Sequence, residues 1–276
     1  MLFYLFKQWG ENKAFISSLL FIANPLSVYT LFQDEGIITF TIILSLFLVI
    51  KNKKNLGAIS IGLGIVTKVW SGFLAPAQLY DKNTEFRKRI QKFIISVGTA
   101  SVILLFFYLY WGSKTLWFIG FYGGAASKDT IGGISIWRAL ARTPLISTSS
   151  IQTRVILIFI GITLLAILYV AHRDDYDLLL VFTVTFAFFL AIYPKIHWEY
   201  YIMLLPGMLF YAVRDKRIFS IYIGLMIFST LARMFRPSYF DPWVPYMIFI
   251  FSMIFTGLML WMVYLLMRDN KFRELY

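Results

Sequence analysis

Long apolar stretches separated by short charged segments make up almost the whole chain, and they restrict it to a membrane-embedded helical fold. A helix needs about 20 mainly apolar residues to cross the hydrocarbon core of a bilayer. Only 14% of the 276 residues are charged, whereas a soluble domain carries about a quarter. We therefore expect an all-α fold, a polytopic bundle of membrane helices. The apolar stretches cover residues 14–32, 36–50, 55–67, 69–79, 93–111, 153–171, 178–193, 200–213, 218–235 and 243–267.

Two of these stretches, 55–67 and 69–79, are too short to cross a bilayer alone, and they meet at Lys68. They form either one crossing helix or a hairpin of two short helices. Basic residues concentrate in cytoplasmic loops. The hairpin places 17 Lys and Arg in inside loops and 6 in outside loops, whereas a single helix gives 11 and 12. The charge distribution favours the hairpin and predicts about eight full transmembrane helices in addition to it.

The chain reads as one transmembrane domain over residues 1–276, without a linker or an internal repeat. The hairpin topology places both termini in the cytoplasm and the loop 112–152 outside, in the plasma membrane or, in a eukaryote, the ER membrane.

The 26 Lys and Arg lie in short clusters between apolar segments. This arrangement excludes a nucleic-acid-binding face and favours the lipid bilayer, with its anionic headgroups, as the partner. No cysteine is present, which excludes a disulfide framework, a thiolate metal site and a catalytic thiol.

The acidic segment Gln33-Asp34-Glu35 interrupts two apolar stretches and falls on the predicted outer face. It is either a plain acidic turn or part of a site. The preceding Asn24-Pro25 favours a site, because a proline frees backbone carbonyls inside a membrane helix and something must satisfy them. Such a break can lean the end of the helix toward a cavity.

Lys68 lies at the tip of the predicted hairpin, about 20 Å of helical rise from its base. A lysine at that depth either extends its amine outward to water or pairs with an anion. The Trp and Gly of the segment "KVWSG" favour a packed tip over a lipid-facing one.

A second polar cluster occurs in "YPKIHWEYY", where His197, Glu199 and Tyr200 follow Lys195 on the predicted outer side. It is either a set of interfacial aromatic residues with incidental charges or a part of the same site. The other histidine, His172, falls on the predicted inner side. Two histidines on opposite faces do not form a zinc site.

Three arginines complete the set of candidate residues. Arg233 and Arg236 lie near the outer end of the stretch 218–235 and either mark the membrane boundary or contact phosphate, for which arginine is well suited. Arg138 lies in the loop 112–152, which is too long for a simple connector. Its segment "SIWRALAR" is typical of a short interfacial helix that would cover a site at the outer helix ends.

These segments together resemble the GT-C superfamily of integral-membrane glycosyltransferases, and most closely its polyprenol-phosphate-sugar-dependent mannosyltransferases. The resemblance rests on the order of an Asn-Pro, an outward acidic turn and a Gly-rich pair of short helices with a lysine. It continues in "GGISIWRAL" and in "IHWEYYIMLLPGML". Because that family has its catalytic base in a first outward loop, which would precede Asn24, the chain resembles the C-terminal two-thirds of such an enzyme. A second chain could then supply the remaining helices.

The resemblance implies transfer of a hexose, mannose in the closest relatives, from a polyprenyl-phosphate donor to an acceptor on the outer or lumenal face. An acceptor hydroxyl, deprotonated by a carboxylate, displaces the lipid phosphate from the anomeric carbon of the sugar. The catalytic residue is then unknown in this chain. The candidate residues would bind substrate, and Asp34 would position the acceptor or a bound divalent cation. No cofactor is otherwise expected.

Two other functions compete with this one. A transporter or flippase for lipid-linked sugars would carry polar residues through the depth of several spans. The spans 93–111, 153–171 and 178–193 carry no charge within the membrane, since Arg154 lies at the very start of the second, which speaks against it. A non-catalytic membrane subunit is the other alternative, and the absent first loop favours it.

Overall fold

The computed structural model describes residues 1–7, 10–30, 33–81, 84–116, 132–140, 150–234, 244–269 and 272. Within these ranges the chain is almost entirely helical, with one pair of two-residue strands, β1 (Gly132–Gly133) and β2 (Lys195–Ile196). The α-helices are α1 (Leu2–Phe6), α2 (Glu11–Ala23), α3 (Pro25–Tyr29), α4 (Asp34–Ile50), α5 (Lys54–Thr67), α6 (Leu74–Ala77), α7 (Phe86–Trp111), α8 (Ile136–Leu140), α9 (Ser150–Arg173), α10 (Leu178–Ile192), α11 (Leu205–Ala212), α12 (Lys216–Met234) and α13 (Val244–Arg268). Short 3₁₀ helices cover Val69–Phe73, Gln78–Tyr80, Gly112–Leu116 and Trp198–Leu204.

The all-α prediction is confirmed, but the predicted number of full spans is not. Among the residues described, three helical segments are long and apolar enough to cross a membrane: Phe86–Leu116, Val155–Arg173 and Phe249–Arg268. The difference arises because several apolar stretches do not form one continuous helix. Residues 14–32 are split into α2 and α3, and residues 200–213 begin as a 3₁₀ helix before α11.

Two of the three long helices expose most of their apolar side chains. Only 11% of the apolar window of Phe86–Leu116 and 22% of that of Val155–Arg173 are buried. Large side chains such as Leu109 on α7 and Leu165 on α9 project outward. Apolar helices with this much exposed surface are compatible with a membrane, where hydrocarbon chains replace water around them.

α10 forms the centre of the bundle. All 15 of its residues are buried, and it carries no charge. Asp177 caps its N-terminus by accepting a hydrogen bond from the Leu180 amide at 2.7 Å. α11 packs closely against it, because Gly207 lies where a Cβ would meet the Thr183 hydroxyl at 2.1 Å. A larger residue at Gly207 would separate the two central helices.

The chain reverses direction at Lys68. α5 leads to this lysine, and the segment Val69–Tyr80 returns from it. At the start of α5, the Lys54 amine donates a hydrogen bond to the Thr84 hydroxyl at 2.9 Å. The beginning and the end of this excursion therefore lie at the same end of the bundle, with Lys68 at the other.

Several basic connectors meet at the end that contains Lys54. Contacts across this end join Tyr80 to His172, with ring centres 6.1 Å apart, and Arg217 to Asp269, at 2.7 Å. We call it the basic end, and define it by the segments 51–54, 80–81, 84–92, 172–177 and 214–217 together with the C-terminus of α13. The opposite end, which contains Lys68, is called the site end.

Candidate functional site

Lys68 forms a buried ion-pair cluster with the first turn of α4. Its amine contacts the Glu35 carboxylate directly and lies 3.1 Å from that of Asp34. The side chains of Lys68 and Glu35 are only 9% and 5% exposed, whereas that of Asp34 is 56% exposed. The anion that a lysine at this depth requires is thus supplied by the chain itself. The Glu35 carboxylate is buried against the Lys68 amine, whereas the Asp34 carboxylate remains partly exposed.

Local backbone structure brings these charges together. α4 begins at Asp34 after an extended Gln33, which places two carboxylates at the positive end of the helix dipole. Lys68 directly follows α5 in an extended conformation, at the negative end of that dipole. α4 and α5 are antiparallel neighbours, so each charge stabilises its own helix end and also its partner across the pair. The buried side-chain carbonyl of Gln33 has no hydrogen-bond partner among the residues described.

Tyr200 and His197 extend the cluster. The Lys68 amine lies 4.8 Å from the centre of the Tyr200 ring, within the range of a cation–π interaction. The rings of Tyr200 and His197 are 5.4 Å apart in an edge-to-face arrangement. Glu199 directly precedes Tyr200 in the 3₁₀ helix Trp198–Leu204, and His197 is the N-cap of that helix. The two polar segments singled out in the sequence are therefore brought together around Lys68.

His197 is held in its neutral form at pH 7. Burial lowers the pKa of its imidazole, and the positive charges of Lys195, Lys68 and Arg138 lower it further. A neutral imidazole both donates and accepts a hydrogen bond. This surface of the site is therefore cationic around an uncharged histidine, whereas the surface at Asp34 is acidic.

Part of the long loop lies over this region. β1 and β2 pair in parallel, with Gly133 opposite Ile196. Gly133 has a φ of +66°, and a Cβ there would meet the Ile196 carbonyl oxygen at 1.7 Å, so only glycine fits. The Trp137 indole donates to the Ile192 carbonyl at 2.6 Å, and the Arg138 guanidinium donates to that of Gly133 at 2.9 Å. These contacts hold α8 against the segment that carries His197.

At the break between α2 and α3, the side chain of Asn24 is hydrogen-bonded to a tyrosine that is distant in the sequence. The Asn24 amide donates to the Tyr201 hydroxyl at 2.9 Å and its carbonyl accepts from the Leu26 amide at 3.0 Å. The Ser229 hydroxyl lies 3.3 Å from the same Tyr201 oxygen. The sequence indicated the break, but its partner, 177 residues away, was not identified.

An apolar groove of about 470 Å³ opens between α2, α3 and α4. Gly36 and Ile37, which line it, directly follow Glu35 in the first turns of α4. Phe21, Phe40 and Ile202 contribute to its apolar walls. The groove therefore begins beside the charged cluster and continues along the side of the bundle.

Two predicted site residues cannot be placed. Arg233 belongs to α12, but its side chain lies outside the described residues, and Arg236 lies outside them altogether. In the part of the chain that is described, no group of three or more His, Asp or Glu side chains could hold a metal ion.

Comparison with known proteins adds no relative. No family model matches the chain, and no curated protein and no solved structure is significantly similar to it. The resemblance to GT-C glycosyltransferases therefore stays a prediction from the sequence.

Proposed function

We propose that the chain is a membrane glycosyltransferase of the GT-C type that moves a hexose from a polyprenyl-phosphate donor to an acceptor at the site end. One observation carries the proposal: the charged cluster and the apolar groove share the first turn of α4. A substrate that fits both must have a polar head and a hydrocarbon tail. Lipid-linked sugars have that chemistry.

The proposal includes the membrane topology. Eight full spans and the hairpin at Lys68 would place the basic end in the cytoplasm and the site end outside or in the lumen. Its support is that the connectors predicted to be cytoplasmic from their Lys and Arg content meet at one end of the bundle. Cysteines introduced at the exposed Lys53 and Ser113 should react with an impermeant reagent from opposite sides of the membrane. Reaction from the same side would contradict the topology.

In the proposed reaction, a hydroxyl oxygen of the acceptor bonds to the anomeric carbon of the sugar while the bond from that carbon to the phosphate oxygen breaks. The proton leaves to a carboxylate base, and the electron pair leaves with the polyprenyl phosphate. The family resemblance assigns the base to an outward loop that precedes these residues. Asp34, whose carboxylate is half exposed, is then suited to accept a hydrogen bond from the acceptor and orient it. Arg138 and Lys195, the cations beside His197, are suited to stabilise the charge on the leaving phosphate.

The test is sugar transfer by the full-length protein in proteoliposomes that contain polyprenyl phosphate carrying a radiolabelled hexose, with membrane lipids from its source as acceptors. Wild-type protein should release free polyprenyl phosphate and label an acceptor. Asp34→Asn should slow transfer, but by less than the roughly 10²–10⁴-fold expected for a lost base. Glu85→Gln, which removes an exposed acid at the basic end, is the matched control and should leave the rate unchanged.

Each outcome decides one part of the proposal. Transfer that Asp34→Asn leaves undiminished would make residues 33–35 an ordinary turn. Complete loss, in a variant that still folds, would make Asp34 the base. Absence of transfer by the wild-type protein with every lipid-linked hexose supplied would contradict the enzyme itself.

A non-catalytic subunit is the second candidate, and one observation favours it. Lys68 contacts both Asp34 and Glu35, and a carboxylate beside a lysine is a weaker base than a lone one. A subunit of this kind would bind the lipid-linked donor without consuming it, and would co-purify with a second membrane protein that carries the base. Donor binding without turnover by the isolated protein, and turnover in the complex, would support this alternative over the first.

A further inference from the structure

A second apolar groove, of about 440 Å³, lies on the other side of the hairpin tip. It runs between the end of α5, at Val66, and the last turns of α7, at Leu104 and Phe107. Trp111, Lys114 and Thr115 complete its lining. Lys114 is the only charged residue among them.

The turn after α7 holds Lys114 at the mouth of this groove. α7 ends at Trp111, and Gly112 adopts a φ of +64°, which reverses the chain. The Thr115 hydroxyl then donates to the Phe107 carbonyl at 3.0 Å, so the 3₁₀ helix Gly112–Leu116 folds back on the end of α7. Lys114 is exposed and forms no ion pair with any residue that the structure describes.

We propose that this groove binds one acyl chain of an anionic phospholipid, with Lys114 contacting its headgroup phosphate. The proposal is independent of the glycosyltransferase activity. The groove is apolar along its length and cationic at its mouth, which matches the charge distribution of such a lipid. Trp111 stacks on Phe107 at a ring distance of 5.0 Å, and tryptophan is enriched at the level of the headgroups. The lipid would belong to the leaflet at the site end of the bundle.

The experiment uses the absence of cysteine from the chain. Leu104→Cys, labelled with bimane, places a fluorescent probe in the groove of the full-length protein in nanodiscs. Phosphatidylglycerol and phosphatidylcholine with brominated acyl chains are then compared as quenchers over a range of mole fractions. Phosphatidylglycerol should reach half-maximal quenching at a mole fraction roughly fivefold lower, the ratio expected for one lysine near an anionic surface.

Lys114→Gln should abolish this preference by raising the half-quenching fraction of phosphatidylglycerol to that of phosphatidylcholine. Lys13→Gln, which removes an exposed lysine from α2 and changes the net charge equally, should leave the preference intact. Leu109→Cys is the matched probe for bulk lipid, because Leu109 is 77% exposed on the same helix. It should respond to both lipids equally in either background.

Three outcomes would overturn the proposal. Equal quenching by the two lipids in the wild-type background would mean that the groove does not select a headgroup charge. A preference that survives Lys114→Gln would assign the selection to another residue. Displacement of the brominated phosphatidylglycerol by equimolar polyprenyl phosphate would make the groove part of the donor site. Because Lys114 is exposed, its variant should fold, and an unchanged circular dichroism spectrum would verify this.

Discussion

The two ends of the bundle each bury a lysine beside a carboxylate, yet the two pairs differ in what surrounds them. At the basic end, Lys92 lies 2.7 Å from Asp81, and their side chains are 2% and 6% exposed. At the site end, Lys68 contacts two acids, one of which is half exposed. Both side chains of the basic-end pair are buried, whereas the site-end cluster includes an exposed carboxylate, that of Asp34, beside a groove. The two ion pairs therefore differ in whether one of their charges is accessible from outside the protein.

The partners of the basic-end pair explain its role. Thr84 donates to the Asp81 carboxylate at 2.5 Å and accepts from Lys54 at 2.9 Å. The Arg89 guanidinium donates to the Thr84 carbonyl at 2.6 Å. All of these contacts fasten the connector between the hairpin and α7. We infer a structural role for the pair, because its charged groups are hydrogen-bonded to other groups of the same chain.

The largest expected effect is on stability, at the basic end. Lys92→Met should lower the free energy of unfolding by about 3–5 kcal/mol, because it leaves the Asp81 carboxylate buried without its partner. Denaturant titration in detergent micelles measures this. The double variant Lys92→Met/Asp81→Leu should recover most of the loss, since removing both charges is often neutral. A single variant as stable as the wild type would mean that water reaches Asp81.

The next effect separates the two ends by function. Lys68→Met should weaken donor binding, because it leaves Asp34 and Glu35 as two uncompensated negative charges beside the expected position of the phosphate. Isothermal titration with a water-soluble short-chain polyprenyl-phosphate hexose measures binding. Lys68→Met/Glu35→Gln should restore part of it by removing one of the charges. Unchanged binding by the single variant would limit Lys68 to holding α4 and α5 together.

The smallest effect is a pH dependence that distinguishes the ends. Because the pKa of His197 is lower in the folded state than its ordinary value of 6.5, the unfolded chain binds more protons below that pH. Its contribution to stability is thus complete above pH 6.5 and is lost as the pH falls, by at most about 1.4 kcal/mol per pH unit. His197→Gln should remove this dependence between pH 7 and 5, and His172→Gln at the basic end should not. The reverse result would assign the titration to the basic end.

At the basic end, Asp81 responds in stronger acid than His197. Burial raises the pKa of Asp81, but its contacts with Lys92 and Thr84 outweigh burial and bring the pKa below its ordinary value of 3.8. Its contribution is therefore present above that pH and is lost as the pH falls further. Loss of stability in two separate pH ranges would confirm that His197 and Asp81 titrate independently.

The sequence predicted the all-α class, and it indicated which polar segments lie near one another better than it indicated the ion pairs between them. Charges are rare between apolar stretches, so the segments with Asp34, Lys68 and His197 stood out, and the Lys/Arg distribution placed them at one end. Which acid would neutralise Lys68 depends on the packing of α4 against α5, which hydropathy does not encode. The same applies to Lys92, which looked like one more basic residue of a cytoplasmic loop.

The described residues show fewer long apolar helices than the predicted eight spans for a related reason. Hydropathy registers an apolar stretch but does not register where its backbone leaves the helical conformation. The break at Asn24 and the 3₁₀ helix Trp198–Leu204 both interrupt apolar stretches without a change in polarity. The break was visible as Asn-Pro, whereas the 3₁₀ helix had no comparable signal.

The hydrogen bond between Asn24 and Tyr201 has a consequence for biogenesis. The two residues are 177 positions apart, and a ribosome adding about 5–20 residues per second needs roughly 10–35 s to reach the second after the first. During that interval the Asn24 side chain lacks the tyrosine to which it donates in the folded chain. The contact between α2–α3 and the 3₁₀ helix Trp198–Leu204 can therefore form only after that helix has been synthesised. The cluster around Lys68, which includes Tyr200 of the same 3₁₀ helix, is likewise completed late in synthesis.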